Sequence, residues 1–139
     1  MIYSKEVELS LKKLKKKVMS LVEQKNMISI MNDTKWNELC ESVKELPFLP
    51  PYEIKFITDT DSPKPFDKDV CFTGNWDDEM LLPFFNIEWI QVRPRYIRER
   101  GFLITGELLD ETDMFINILE KYSIPYEEES GTFIIYGYK

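Results

Sequence analysis

The run Pro47-Phe48-Leu49-Pro50-Pro51 divides this chain, because three prolines in five residues withhold backbone donors and force extended geometry on the residues before them. A helix arriving from the N-terminal side must stop by Pro47. The hydrophobic period changes at the same place. Upstream, apolar residues recur every three or four positions; downstream, Tyr52, Ile54 and Phe56 alternate with Glu53 and Lys55, the pattern of a strand with one wet face. The segment is a rigid connector packed over the core; docking of a proline-recognising partner is the competing reading.

Val7, Leu11, Leu14, Val18, Leu21 and Val22 form one stripe of a first helix whose other faces carry Lys12, Lys13, Lys15, Lys16 and Lys17. Asn32 or Asp33 caps a second helix bearing Trp36, Leu39, Cys40, Val43 and Leu46. After the strand at Tyr52 to Thr58, Asp59 to Asp69 reads as an exposed loop around Pro63 and Pro65. Short strands are expected at Val70 to Thr73 and Phe102 to Thr105. A stronger one at Ile87 to Arg93 puts Ile87 and Trp89 opposite Glu88, Ile90 and Val92. Asp110 or Thr112 caps a helix with Phe115, Ile118, Leu119 and Tyr122, and the dipole favours Glu111 and Asp113 in its first turn. Tyr126 to Glu128 and Thr132 to Tyr138 close as a hairpin around Ser130-Gly131. The fold class is α+β: two N-terminal helices, an antiparallel or mixed sheet, and one helix before the C-terminal hairpin.

The length of 139 residues, with 43% hydrophobic and 14% aromatic content, suits one globular domain, residues 1–139. Charge splits it unevenly. Residues 1–30, the basic amphipathic helix, balance to +4, whereas residues 31–139, an acidic α+β body, balance to −11. A body this acidic repels nucleic-acid phosphate and favours a protein partner with a basic surface. The lysine-rich helix carries no Trp or Phe on its apolar stripe to anchor it in a bilayer, so its lysines read as a solvated face docked on the acidic body. No apolar run approaches a membrane span, and Met1 to Leu11 lack a secretion signal; the expected location is cytoplasmic.

No histidine is present, which removes the usual proton-transfer and metal-ligating side chain. The two cysteines, Cys40 and Cys71, lie among apolar neighbours and read as buried free thiols; they are too few for a structural zinc site. No nucleophile elbow or phosphate-cradling loop occurs. No catalytic residue, metal or cofactor is assigned.

Several short motifs in order, Met31-Asn32-Asp33-Thr34-Lys35-Trp36, Pro50-Pro51-Tyr52, Gly74-Asn75-Trp76, Ile87-Glu88-Trp89, Ile124-Pro125-Tyr126-Glu127-Glu128 and Ile135-Tyr136-Gly137-Tyr138, resemble an uncharacterised family of small bacterial proteins, a domain of unknown function. The resemblance covers about residues 27–138; Asp33 replaces a second asparagine there and keeps the capping role. It implies no activity. Small acidic bacterial proteins are often immunity proteins that neutralise a toxin, an analogy of size and charge.

Three constellations are candidate sites. Trp76-Asp77-Asp78-Glu79 follows a Gly74-Asn75 turn and offers carboxylates to a cation, with Trp76 as partner anchor; plain solvation is the bland reading. Arg93, Arg95, Arg98 and Arg100 comprise every arginine of the chain and suit an anion or subunit contact, or internal pairing with Glu88, Glu99 or the acidic tail run. Tyr126-Glu127-Glu128-Glu129, with exposed Tyr136 and Tyr138, suits a protein interface, or is an ordinary solvated hairpin. The expected function is a non-catalytic protein-binding module, an immunity protein that occludes a basic toxin electrostatically. The alternatives are a small hydrolase using paired carboxylates and a structural homo-oligomer.

Overall fold

The computed structural model describes residues 4–139; Met1 to Tyr3, part of the stretch read for a secretion signal, lie outside the described residues. Among the described residues the fold is α+β, with four α-helices, one short 3-10 helix and six strands, all paired antiparallel.

The first helix, α1 (Lys5–Gln24), is capped by Ser4, whose hydroxyl accepts from the Val7 N–H at 3.2 Å. Only its second half docks. Val18 is fully buried and, with Leu14, Leu21 and Val22, packs on Ile57 and Tyr138, whereas Val7 at the other end stays exposed. The five lysines of residues 12–17 are all solvated, as expected for a face turned to water. The second helix, α2 (Asp33–Val43), is capped by Asn32, whose Oδ1 accepts from Lys35 N–H at 2.8 Å. It buries Trp36, Leu39, Cys40 and Val43 and ends before Pro47, where the amide donors run out.

Strands β1 (Tyr52–Phe56), β2 (Ile87–Val92), β5 (Glu127–Glu129) and β6 (Thr132–Tyr136) form one sheet in the order β1-β2-β6-β5. Helix α2 and helix α4 (Thr112–Lys121) contribute to one core with this sheet, through Leu39, Val43, Phe115 and Leu119 against Ile90, Val92, Phe133 and Ile135. The β5–β6 turn has positive φ at both Ser130 (51°) and Gly131 (85°), the conformation that matches strand twist in a tight hairpin. Beyond β6, Gly137 lies against the Ile87 carbonyl and the Trp36 indole, so any side chain there would collide with backbone. A separate hairpin pairs β3 (Arg95–Arg98) with β4 (Glu107–Asp110).

Several expectations are corrected. Val70 to Thr73 is not a strand: it offers the neighbouring hairpin the Val70 carbonyl for the Ile97 N–H, and Cys71 is exposed. Phe102 to Thr105 is the turn of the β3–β4 hairpin, not a strand. Gly101 (φ 120°) and Leu103 (φ 64°) reverse the chain there, and Phe102 and Leu103 are 91% and 90% exposed. Instead of a Gly74-Asn75 turn opening an acidic loop, Asp78–Leu81 folds into a short helix, α3. The wet face assigned to β1 also fails, because Lys55 is buried and its Nζ meets Glu88 Oε1 at 2.8 Å. A register shift between Lys55 and Phe56 lets both Ile87 and Ile90 point inward, which breaks the simple alternation read for β2.

Candidate functional site

A groove of about 880 Å³ lies where the connector, the β3–β4 hairpin, the start of α4 and the β5–β6 turn meet. Proline rigidity brings Phe48 to one wall, where its ring meets Tyr96 edge-on at 4.7 Å between centroids. Arg95, Tyr96 and Arg98 of β3 line the same groove.

The sequence Asp110-Glu111-Thr112-Asp113 places three acids at one helix start, and they take different fates. Asp110 Oδ1 accepts from Thr112 N–H at 2.8 Å and from its hydroxyl, an Asx turn just ahead of the helix. The cap position falls on Glu111, whose side chain makes no capping bond, so neither Asp110 nor Thr112 is the cap. Burial pushes the Asp110 carboxyl up, but the Thr112 bonds and the Arg95 guanidinium outweigh this and hold it below the usual carboxylate range. Glu111 turns inward. It is only 4% exposed; one oxygen accepts from Phe48 N–H at 3.2 Å, and Oε2 is the buried side-chain polar atom without a partner among the described residues. Burial pushes its pKa up to about 7, against the lowering effect of the Phe48 N–H. Asp113 remains exposed at the rim.

The arginines are already engaged. Arg93 is buried: Nε donates to Asp69 at 2.8 Å, and a terminal nitrogen donates to Ser130 O and Thr132 Oγ1 at 2.9 and 3.0 Å. Arg95 clasps Asp69 with two bonds of 2.7 and 2.8 Å, and this first of all drives the Asp69 carboxyl below its ordinary range. Arg98 pairs with Glu107, and Arg100 donates to Thr105 O across the hairpin turn. The internal alternative therefore describes this cluster, but with Asp69, Asp110 and Glu107 as partners and not Glu88, Glu99 or the tail. Arg93, sealed inside, has no free face for an anion or a second subunit. Asp69 carries no local signal of this role, because it lies in a stretch that reads as an ordinary charged loop.

The acidic constellations are also split. Trp76 is 1% exposed, donates from Nε1 to Pro50 O at 2.9 Å and packs on Tyr52 with centroids 4.8 Å apart; it is a core residue, not a surface anchor. Asp77, Asp78 and Glu79 stay exposed beside it. They lie next to β1, three strand spacings of about 4.8 Å from β5 at the opposite edge. Along β5 the pleat sends Glu128 toward the groove, whereas Glu127 meets Lys139 Nζ at 2.5 Å and Glu129 lies by a separate hollow near Phe66. Tyr126 lies against Phe133, and Tyr138, expected at the surface, is 7% exposed with its hydroxyl donating to Phe85 O at 2.6 Å. The groove thus gathers Arg95, Arg98 and Glu128 from the expected sites and adds Glu111. The available signal for Glu111 is an acid directly after Asp110 at the boundary between β4 and α4.

The buried thiol of Cys40 has its pKa pushed up to about 12 by desolvation, which leaves it inert as a nucleophile. Among the described residues no cluster of acids and thiols is placed to hold a metal ion, and no helix is long and apolar enough to cross a membrane.

Glu111 yields a direct prediction. With its folded pKa raised from 4.5 to about 7, the native chain holds a proton that the unfolded chain has lost, so stability falls as pH rises through this window. The loss reaches about 3 kcal/mol at most, at 1.36 kcal/mol per pH unit. Glu111→Gln keeps an acceptor for Phe48 and removes the charge. Urea denaturation at pH 5 and pH 8 should show the wild type weakening by about 2 kcal/mol more than the variant across that interval. Parallel pH profiles for the two proteins would show that Glu111 is ionised at no cost.

A model described as a family of unknown function (DUF6678) matches residues 18–139, from the buried Val18 of α1 to the end of the chain. No curated protein and no solved structure matches.

Proposed function

We propose that this chain, which belongs to that family of unknown function, is a non-catalytic binding module for a basic protein partner. The observation that carries this reading is the charge state of the groove. Its two guanidinium groups are paired with Asp69, Asp110 and Glu107, while among the described residues Asp113 and Glu128 carry no ion pair and Glu111 keeps an unpartnered oxygen. The surplus is negative, lined by aromatic rings, and set in a body of net charge −11 over residues 31–139. Such a surface steers a cationic partner and holds it by charge complementarity. A cytoplasmic immunity protein that covers the active site of a basic toxin fits this chemistry.

The test is affinity for the product of the neighbouring open reading frame, measured by calorimetry at two salt concentrations. Reversing the groove rim with Asp113→Lys and Glu128→Lys should weaken binding by about a hundredfold at low salt, the scale of two close charge pairs. Replacing Asp77, Asp78 and Glu79 by alanine should change it less than about threefold, since rim charges without an anchor contribute little. An undiminished affinity after rim reversal would remove the groove from the interface.

A second reading has its own observation. Asp110 and Glu111 are adjacent carboxyls held at opposite protonation tendencies, the arrangement that divides acid and base roles in hydrolases. Turnover abolished by Asp110→Asn or Glu111→Gln in a folded protein would favour it.

A further inference from the structure

We propose that the groove is a receptor for a guanidinium group, so that an arginine of the partner stacks on the Phe48–Tyr96 ring pair and delivers its charge to Glu111. This rests on the reading of the chain as a binder of basic proteins and specifies the group that is recognised. Three observations converge on it. Glu111 lines the groove, is more than nine-tenths buried and leaves Oε2 unpartnered among the described residues, a state that a charged donor relieves. The ring pair, at 4.7 Å between centroids, offers an aromatic surface to a flat cation. Glu111, Asp113 and Glu128 all line the groove, and carboxylates from separate elements suit the five donors of a guanidinium better than the compact ammonium of lysine does.

An anionic ligand is disfavoured because the charges of Arg95 and Arg98 are already balanced by Asp69, Asp110 and Glu107. In the free chain Oε2 is closed off from water, so engagement includes a rotation of Glu111 or of the half-buried Phe48. The charged groups around Glu111 are Asp110 at the end of β4, Asp113 on α4, Arg95 and Arg98 on β3, and Glu128 on β5. The three acids oppose its ionisation, and an arriving cation favours it. Affinity should therefore rise with pH through the neutral range.

The probe is N-acetyl-arginine methylamide, titrated into the full chain and followed by the backbone amide signals of Phe48 and Thr112. At pH 8 those signals should move saturably at millimolar concentrations. At pH 6 the affinity should fall about tenfold, the ratio of ionised fractions for a group that titrates near neutrality. The lysine analogue should bind more weakly, Glu111→Gln should lower affinity at least tenfold, and Asp113→Asn should lower it severalfold with Glu111 intact. No saturable shift at pH 8, or an affinity indifferent both to pH and to Glu111→Gln, overturns the proposal. If a basic protein still binds and is weakened by Glu128→Lys while the arginine probe is silent, this assignment fails and the broader binding function stands.

Discussion

Trp76→Ala should lower the stability of the folded chain by about 4 kcal/mol, the scale for truncating a large buried aromatic. The ring is 1% exposed between Tyr52 and the connector, and its Nε1–H satisfies the Pro50 carbonyl at 2.9 Å. Alanine removes both the contact area and that donor. Trp76→Phe keeps most of the area and loses the bond, so it should cost about 2 kcal/mol, mostly for the carbonyl left unsatisfied. Natural domains have total stabilities of about 5–15 kcal/mol, so this loss takes a large share of the total and raises the unfolded-to-folded ratio about a thousandfold. Chemical denaturation with an unchanged slope and a lower midpoint is the expected record. A stable alanine variant that had lost only partner affinity would restore Trp76 as a surface anchor.

Lys55→Ala should be comparably damaging for a different reason. Lys55 and Glu88 face each other at 2.8 Å with side chains 8% and 12% exposed, so removing the lysine strands a carboxylate in a poorly solvated place. Breaking one side of such a buried pair costs about 3–5 kcal/mol, whereas replacing both partners with apolar residues of similar size is often neutral. Lys55→Met with Glu88→Leu should therefore recover most of the loss. Equal stability of the single and double variants would mean that the lysine stem, and not its charge, matters at this site.

The two residues show what local pattern conveys and what it conceals. In β1, the alternation of Tyr52, Ile54 and Phe56 with Glu53 and Lys55 marks a strand correctly, because strand geometry is local. The same alternation places Lys55 on the wrong side, since burial depends on Glu88, which lies 33 residues away. Three prolines after Leu46 set where helix gives way to sheet, and Ser130-Gly131 set the final hairpin, for equally local reasons. The glycines around Phe102 carried true turn information, but the apolar run between them obscured it.

At the groove the division is sharper. The identities of its residues, the clustering of arginines within residues 93–100 and the acidic excess all stand in the amino-acid order. Which guanidinium is neutralised is decided by Asp69, brought from 24 and 26 residues away, and which of two neighbouring acids is buried is decided by the Phe48 amide, 63 residues from Glu111. Sequence determined the elements and the sign of the charge through short-range sterics and composition. Tertiary structure alone decided which charges are spent and which is left over, because desolvation and pairing energies depend on neighbours that only the folded chain supplies.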